Sequence, residues 1–382
     1  MLKRKIVVIK LGSQIVVGSD RNIEAQLKAL VEQISDIQKS GHQVILVSSG
    51  AIGLGKGVLN SQQPLTLAEK QAAAAIGQPA LMSVYTKLFE IQGLTTAQVL
   101  LTAEDFSIRR RYLAINSVLD CLLNNQIIPI INENDCVSTY EMEDNSPNEP
   151  SFGDNDRLSA LIAVNLKADL LILLTNVDGL YDSDPRSNPD AELIPIINDL
   201  KDLANLETSG ISSLGRGGMK SKVTAACIAS IGGVPCVIAN GERPQILAEI
   251  MSQSAFHGTV ISAKEKPLKA KKNWIGFASG YSGSIKVNDC ARPIILEGRS
   301  SLLAVGITEV LGEFSAGQVI QVRDSADNEI ARGLSEYSSK QINLIKGKSR
   351  AAILELTQQI KDDLSEIVVH KDFLVTVGEY GI

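Results

Sequence analysis

The chain alternates between short, almost purely apolar runs and longer segments in which apolar residues recur every three or four positions. The apolar runs lie at residues 6–9, 43–47, 97–101, 127–131, 170–174 and 235–239. Runs of this length are typical of strands buried in a parallel sheet, whereas the spacing between them, as in residues 23–37, is that of amphipathic helices. Six strands that alternate with helices predict a three-layer sandwich, with a mostly parallel sheet between two layers of helices.

Polar residues and glycines mark where the predicted helices begin and end. Asp20 can cap the first of these helices, and Gly41 ends it. Thr66 and Glu69 form a capping-box pattern at the start of a long alanine-rich helix that ends near Gly93. The pattern therefore predicts helix boundaries as well as strands.

The composition changes after residue 257. Residues 263–273 contain five lysines, a proline and little to bury, which predicts an exposed linker over residues 259–273. Beyond it, the apolar runs of GSIKVND, RPIILEG, GQVIQVRD and EIARGL are short and broken by Gly, Asp and Asn, a pattern typical of strands and turns. The sequence therefore predicts an α/β domain over residues 1–258 and a small, mostly-β domain over residues 274–370.

The composition is that of an ordinary globular protein. Of the 382 residues, 44% are apolar and 4% aromatic, and the net charge is −6, which argues against the whole chain binding nucleic acid or an anionic membrane. The five cysteines form no C-x-x-C pair, as expected for thiols in a reducing compartment. No apolar stretch approaches the ~18 residues of a membrane span, and the run after MLKRK is too short for a signal peptide. We therefore expect a cytoplasmic protein.

Glycine-rich segments and one lysine are candidates for binding phosphate. Residues 50–56, GAIGLGK, match seven positions of a P-loop, but Gly57 stands where the magnesium-binding Ser or Thr is required. The first strand is followed by KLGS and not by G-x-G-x-x-G, which weakens a dinucleotide-binding interpretation. LGRGGMKSK, residues 214–222, precedes a helix whose N-terminus would favour an anion, although a flexible turn has the same pattern. Lys10, at the end of the first strand, either contacts a ligand or extends its charge to solvent.

Acidic and amide residues cluster in two loops, INEND (residues 131–135) and FGDND (residues 152–156). Asp154 can cap the helix over residues 157–166, whereas Asp156 could hold a lysine or a hydrated magnesium ion. None of the three histidines lies in these loops or in the glycine-rich segments, so a Ser-His or Cys-His nucleophile has no base there. Phosphoryl transfer needs no protein nucleophile, only lysines, backbone amides and magnesium, and the sequence supplies the lysines and the glycine-rich backbone.

Six motifs, in the order VVIKLGS, SSGAIGLG, INEND, FGDND, LTNVDGLYDSDPR and GRGGMKSK, resemble those of the amino-acid kinase family. The linker and the second domain resemble a PUA domain, so that the resemblance spans nearly the whole chain. It implies the amino-acid kinase fold and a phosphotransferase that uses ATP and Mg²⁺, with a carboxyl group as acceptor. The motifs are most similar to those of members that phosphorylate the γ-carboxylate of L-glutamate, giving γ-glutamyl phosphate for proline biosynthesis.

The resemblance also assigns roles to individual residues. Lys10 and Lys222 would neutralise the transferred phosphoryl group and Asp156 would orient them, while no residue is assigned as a direct metal ligand. The implied glutamate-binding residues are Ser49, Asp135 and Asn155. The implied nucleotide-binding residues are Lys10, Thr175, Asn176, Arg216, Gly217, Gly218, Met219, Lys220, Ser221 and Lys222.

Relatives often have aspartate at the position of Asn176 and small residues at those of Arg216 and Lys220, which leaves nucleotide preference open. Residues 141–150 are expected to form either a lid over glutamate or a solvated hairpin.

Two alternatives to glutamate phosphorylation remain. Another kinase of the family, acting on aspartate, N-acetylglutamate or UMP, would share the lysines, but INEND and the second domain argue against it. RNA binding through the PUA-like domain is opposed by the lack of a run of exposed aromatic residues near the linker on which bases could stack. The resemblance further implies feedback inhibition by proline, a homo-oligomer, and hand-over of the product to γ-glutamyl phosphate reductase.

Overall fold

The computed structural model describes residues 5–17, 23–59, 65–138, 155–183, 185, 188, 190–200, 202, 218–252, 255–360 and 364–380. The chain divides into two compact units. The first comprises residues 1–105, 109–144 and 151–267, and the second comprises residues 106–108, 145–150 and 268–382. Within the described residues, no helix is both long enough and apolar enough to cross a membrane.

The first unit is built on one eight-stranded sheet. Its strands are β1 (Ile6–Leu11), β2 (Gln43–Ser48), β3 (Thr96–Leu101), β4 (Ile128–Glu133), β5 (Leu170–Thr175), β6 (Ile196–Ile197), β7 (Cys236–Asn240) and β8 (Gly258–Ile261). They lie in the order β3-β4-β2-β1-β5-β7-β8-β6, and every pairing is parallel except that of β7 with β8. The six strands and the parallel sheet predicted from the apolar runs are confirmed. β6 and β8 were not predicted, and residues 259–261 of β8 fall inside the predicted linker.

The first unit also contains the helices that connect these strands. They are α1 (Ser13–Val17), α2 (Ile23–Lys39), α3 (Ala51–Gly55), α4 (Leu67–Ile91), α5 (Ala103–Ser107), α6 (Arg109–Asn124), α7 (Asn155–Asn165), α8 (Gly218–Ile231) and α9 (Ile246–Ser252). The predicted capping box of α4 is confirmed, because the Glu69 amide donates to Thr66 Oγ1 at 3.3 Å and the Thr66 amide donates to the Glu69 carboxylate at 2.8 Å. The predicted caps Asp20 and Asp154 lie outside the described residues.

Helices α3 and α4 approach each other through glycines. A Cβ atom added to Gly55 would lie 1.8 Å from the Ala73 carbonyl oxygen, and one added to Gly77 would lie 1.8 Å from the Ala51 carbonyl oxygen. Gly50, just before α3, has φ 108°, a left-handed conformation that favours glycine. Backbone geometry therefore requires glycine at position 50 of GAIGLGK, and close packing requires it at position 55.

The second unit contains a five-stranded sheet and a two-stranded one. Its strands are β9 (Ser284–Val287), β10 (Leu302–Leu303), β11 (Ile307–Leu311), β12 (Val319–Arg323), β13 (Glu329–Leu334), β14 (Ile367–Val369) and β15 (Leu374–Thr376). The larger sheet has the order β11-β9-β12-β13-β15, and β10 pairs with β14. β15 lies beyond residue 370, where the sequence placed the end of this domain.

Short helices complete the second unit. They are α10 (Ala270–Asn273), a π-helical turn (Trp274–Ala278), α11 (Ala291–Leu296), α12 (Ser339–Ile345), α13 (Arg350–Ile360) and α14 (Val377–Tyr380). The prediction of a strand at RPIILEG is wrong, because these residues begin within α11. Of its three consecutive apolar residues only Ile295 is buried, and Pro293 lies in the first helical turn, where its missing N–H costs no helical hydrogen bond.

Candidate active site

The carboxyl ends of four neighbouring strands bring most of the predicted site residues to one edge of the sheet. β4, β2, β1 and β5 lie side by side in that order. Lys10 lies near the end of β1, Ser49 directly follows β2, and Thr175 ends β5. α7 begins with Asn155 and Asp156, which contact Ser49 and Lys10 respectively. Parallel α/β sheets bind their ligands at this edge.

One buried carboxylate holds both predicted catalytic lysines. Lys10 Nζ lies 2.6 Å from Asp156 Oδ1, and Lys222 Nζ lies 2.9 Å from Asp156 Oδ2. The Asp156 side chain is fully buried, and those of Lys10 and Lys222 are 6% and 10% exposed. Lys222 also donates to the Gly218 carbonyl at 3.1 Å, within the first turn of α8. The structure thus brings together three residues that are distant in sequence.

The charges of this cluster do not cancel. Burial raises the pKa of Asp156, but the ammonium groups of Lys10 and Lys222 outweigh it and lower the pKa below its usual value. Asp156 is therefore a carboxylate, and two positive charges surround one negative charge. Each ammonium has three N–H donors, and the contacts to the described residues, two hydrogen bonds on Lys222 and one ion pair on Lys10, leave donors on both. These donors and the excess positive charge suit a phosphoryl group.

Asn155 connects α7 to the ends of two strands. Its Nδ2 donates to Ser49 Oγ at 2.8 Å and to Asn132 Oδ1, on β4, at 2.8 Å. Two predicted substrate-binding residues, Ser49 and Asn155, are therefore in direct contact. Because Asn155 and Asp156 are consecutive, a candidate acceptor pocket lies next to the lysine pair.

Asp135, the third predicted substrate-binding residue, lies in the turn after β4 and is half-buried. Burial, and after it the negative charge of Glu133, raises the pKa of Asp135 to about 7. A cation beside Asp135 would stabilise its charged form. The sequence placed all polar residues of INEND beyond the strand end, whereas Asn132 and Glu133 belong to β4 and are buried.

The predicted nucleotide-binding residues are only partly described. Thr175 is buried at the end of β5, and Asn176 after it is exposed. The described residues of the glycine-rich loop form the first turns of α8, and they are Gly218, Met219, Lys220, Ser221 and Lys222. Arg216, Gly217 and the proposed lid at residues 141–150 lie outside the described residues.

Sequence reasoning missed two polar contacts beside these residues. Asn132 Nδ2 donates to Gln78 Oε1, on α4, at 2.8 Å, and both side chains are buried. Arg243 donates to both carboxylate oxygens of Asp178, at 2.8 and 2.7 Å, in the loop that follows β5. The sequence did contain a signal for Gln78, because this polar residue stands at a position where the helical spacing of the alanine-rich helix predicts an apolar one.

The side chains at this edge offer little to a metal ion directly. Among the described residues, no group of three or more His, Cys, Asp or Glu side chains could hold a metal ion. Both carboxylate oxygens of Asp156 are engaged by lysines. A magnesium ion at this edge would therefore be held mainly by phosphate oxygens and water, which is the usual manner for Mg²⁺ beside a nucleotide.

A parallel α/β sheet with a buried, carboxylate-linked lysine pair at its carboxyl edge defines a phosphotransferase of small molecules. The chain belongs to the amino acid kinase family, whose model matches residues 5–240. A PUA domain model matches residues 283–356. The family and the PUA resemblance inferred from the sequence motifs are both confirmed.

The chain is similar over nearly its whole length to glutamate 5-kinases. It is 39% identical to glutamate 5-kinase of Proteus mirabilis over 378 residues, which are 98% of this chain and 100% of that protein. It is 40% identical to glutamate 5-kinase of Trichlorobacter lovleyi over 373 residues, 97% of this chain and 96% of that protein. Among solved structures, carbamate kinase from Giardia lamblia bound to AMP-PNP matches 69% of this chain and 100% of its own, with a TM-score of 0.49 and 19% identity.

Proposed function

We propose that the protein transfers the γ-phosphoryl group of ATP to the γ-carboxylate of L-glutamate, giving γ-glutamyl phosphate and ADP. Its near full-length similarity to glutamate 5-kinases supports the reaction. The observation that carries the proposal is the start of α7, where Asp156 holds both lysines and Asn155 contacts Ser49 and Asn132. This arrangement supports the proposal, because one helical turn carries side chains of both the acceptor pocket and the phosphoryl site that we infer.

In this reaction an oxygen of the glutamate γ-carboxylate attacks the γ-phosphorus, and the bond from that phosphorus to the β–γ bridging oxygen breaks. The attacking carboxylate is already ionised at neutral pH, so no general base is required, and Asp156 serves to hold the lysines. Lys10 and Lys222 stabilise the negative charge on the transferred group and on the leaving ADP. When bound, Mg²⁺ neutralises phosphate charge.

We further propose the division of the nucleotide and acceptor sides along the sheet edge. Ser49, Asp135 and Asn155 would bind glutamate, near the ends of β2 and β4. Thr175, Asn176 and the loop of residues 216–222 would bind ATP, beside the ends of β1 and β5. The lysine pair would then lie between donor and acceptor, as in-line transfer requires.

The name of the relatives supports a place at the head of proline biosynthesis, and we propose that the protein acts in the cytoplasm. There, γ-glutamyl phosphate would pass to a reductase, proline would act as feedback inhibitor, and the chain would form a homo-oligomer. A coupled assay of ADP release with glutamate, aspartate, N-acetylglutamate and UMP tests the reaction. Of these four acceptors, we expect only glutamate to be phosphorylated. Turnover with UMP or N-acetylglutamate instead would overturn the proposal.

Replacing Asp135 with asparagine should raise the KM for glutamate without changing the magnesium dependence. In the protein as it stands, the pKa of about 7 means that Asp135 gains its charge as the pH rises through neutrality. The KM for glutamate should therefore fall about tenfold between pH 6 and pH 8, because the substrate's α-ammonium needs the carboxylate. In Asp135→Asn this pH dependence should disappear. A large rise in the magnesium requirement would instead identify Asp135 as a metal ligand.

We also propose that the kinase reaction resides in the first unit, with residues 1–258 as catalytic domain, 259–273 as linker and 274–370 as PUA-like domain. A protein ending at Pro267 keeps the bonds of Ser230, whose Oγ donates to the Ser262 carbonyl at 2.7 Å and whose carbonyl accepts from Lys264 N at 2.9 Å. We expect this truncated protein to phosphorylate glutamate with a kcat within about threefold of the full chain. A truncated protein that folds by circular dichroism but lacks activity would contradict this division.

A further inference from the structure

We propose that Gln78 on α4 is a positioning residue for the acceptor pocket. Through Asn132 it fixes which way the Asn155 amide faces, so that Asn155 presents its carbonyl oxygen to the α-ammonium group of the substrate. This inference rests on the proposed function and deepens it, because it identifies what sets the polarity of the pocket.

The orientation of Asn132 follows from a backbone group. The Glu133 N–H, which can only donate, lies 2.9 Å from one atom of the Asn132 amide, so that atom is the oxygen Oδ1. The amide nitrogen then lies on the other side, where Nδ2 donates to Gln78 Oε1 at 2.8 Å. Gln78 supplies the acceptor that this orientation requires. Both side chains are more than nine-tenths buried, so water is a poor substitute.

The orientation of Asn132 in turn fixes that of Asn155. Because Asn132 offers an oxygen, Asn155 must offer its nitrogen, and the distance between the two atoms is 2.8 Å. The second N–H of Asn155 donates to Ser49 Oγ at 2.8 Å, and the Ser48 carbonyl, which can only accept, lies 3.3 Å from the same nitrogen. The chain of hydrogen bonds therefore runs outward from Asn155, which donates to Ser49 on one side and, through Asn132, toward Gln78 on the other.

This chain leaves an acceptor and a donor available. Asn155 Oδ1 is buried and accepts no hydrogen bond from any residue that the structure describes. Ser49 Oγ already accepts from Asn155, and its hydroxyl proton is donated to none of the described residues. A buried amide oxygen requires a donor, and an α-ammonium supplies one, while a carboxylate oxygen can accept from Ser49. The pair suits a free amino acid.

The test compares Gln78→Leu, which removes the acceptor at nearly constant volume, with Gln78→Glu, which keeps an oxygen facing Asn132. Without the acceptor Asn132 loses one of its anchors, so the carbonyl oxygen of Asn155 is held less firmly toward the substrate. We expect Gln78→Leu to raise the KM for glutamate about tenfold, with the KM for ATP and kcat within about twofold of the unmodified protein. Gln78→Glu should restore the KM for glutamate to within about threefold. Gln78→Met serves in place of Gln78→Leu if that variant does not fold.

Tyr85→Phe is the matched control. Tyr85 lies on the same helix, is fully buried, and its hydroxyl lies 2.7 Å from Ser48 Oγ, outside the chain of amides. Its loss should lower the melting temperature and leave the KM for glutamate unchanged. The proposal is overturned if Gln78→Leu raises both Michaelis constants equally, if it changes neither, or if Gln78→Glu fails to restore the value. Failure of the unmodified protein to phosphorylate glutamate would instead reject the proposed function.

Discussion

Replacing Lys222 with alanine is expected to lower kcat about a thousandfold while changing the KM for glutamate less than about threefold. A charge ~4 Å from a phosphoryl oxygen, at an effective dielectric of ~20, contributes about 4 kcal/mol, or roughly three decades of rate if it acts in the transition state. In the variant Asp156 keeps one lysine, so the excess positive charge of the cluster is lost. Steady-state kinetics with glutamate and ATP varied separately measure the effect.

Two companion variants sharpen this prediction. Lys10→Arg should also have a low kcat, because a forked guanidinium does not fit a site that holds a point charge 2.6 Å from Asp156. Lys28→Ala, which removes an exposed lysine of α2, should leave both constants unchanged. Equal losses in kcat and in glutamate affinity for Lys222→Ala would show that Lys222 contributes to substrate binding and not to the transition state.

Replacing Gly77 with alanine should destabilise the first unit by about 3 kcal/mol or more. The added Cβ would lie 1.8 Å from the Ala51 carbonyl oxygen, and a backbone atom cannot move aside as a flexible side chain can. α3 and α4 would have to separate, which costs more than ordinary overpacking of 1–3 kcal/mol. Urea denaturation followed by circular dichroism measures the change in the free energy of unfolding.

Gly57→Ala is the control for this variant. No atom lies within 4 Å of a Cβ added there, so its free energy of unfolding should match the unmodified protein or rise slightly. A Gly77→Ala protein as stable as Gly57→Ala would show that the two helices do not approach as closely as described.

The sequence predicted the six parallel strands because each is a nearly continuous apolar run. It missed β8, in which Thr259 interrupts the run and which pairs in the opposite direction with β7. It also took RPIILEG for a strand, since three apolar residues in a row fit either structure. Local pattern therefore determined the elements only where the apolar run was long.

The same limit applies to the site. Lys10, Asp156 and Lys222 were found through motifs, and the structure joins them by direct contacts. Gln78 and Asn132 are 54 positions apart, and each lies inside a regular element. Their contact depends on how α4 packs against the sheet, which no short motif records.

The adjacency of Asn155 and Asp156 has a kinetic consequence. A substrate that binds the Asn155 amide restrains the same helical turn that carries Asp156, so acceptor binding and the rigidity of the two ammonium groups are mechanically linked. Under the proposed function, binding of the amino acid would therefore help to order the charges that the transfer requires.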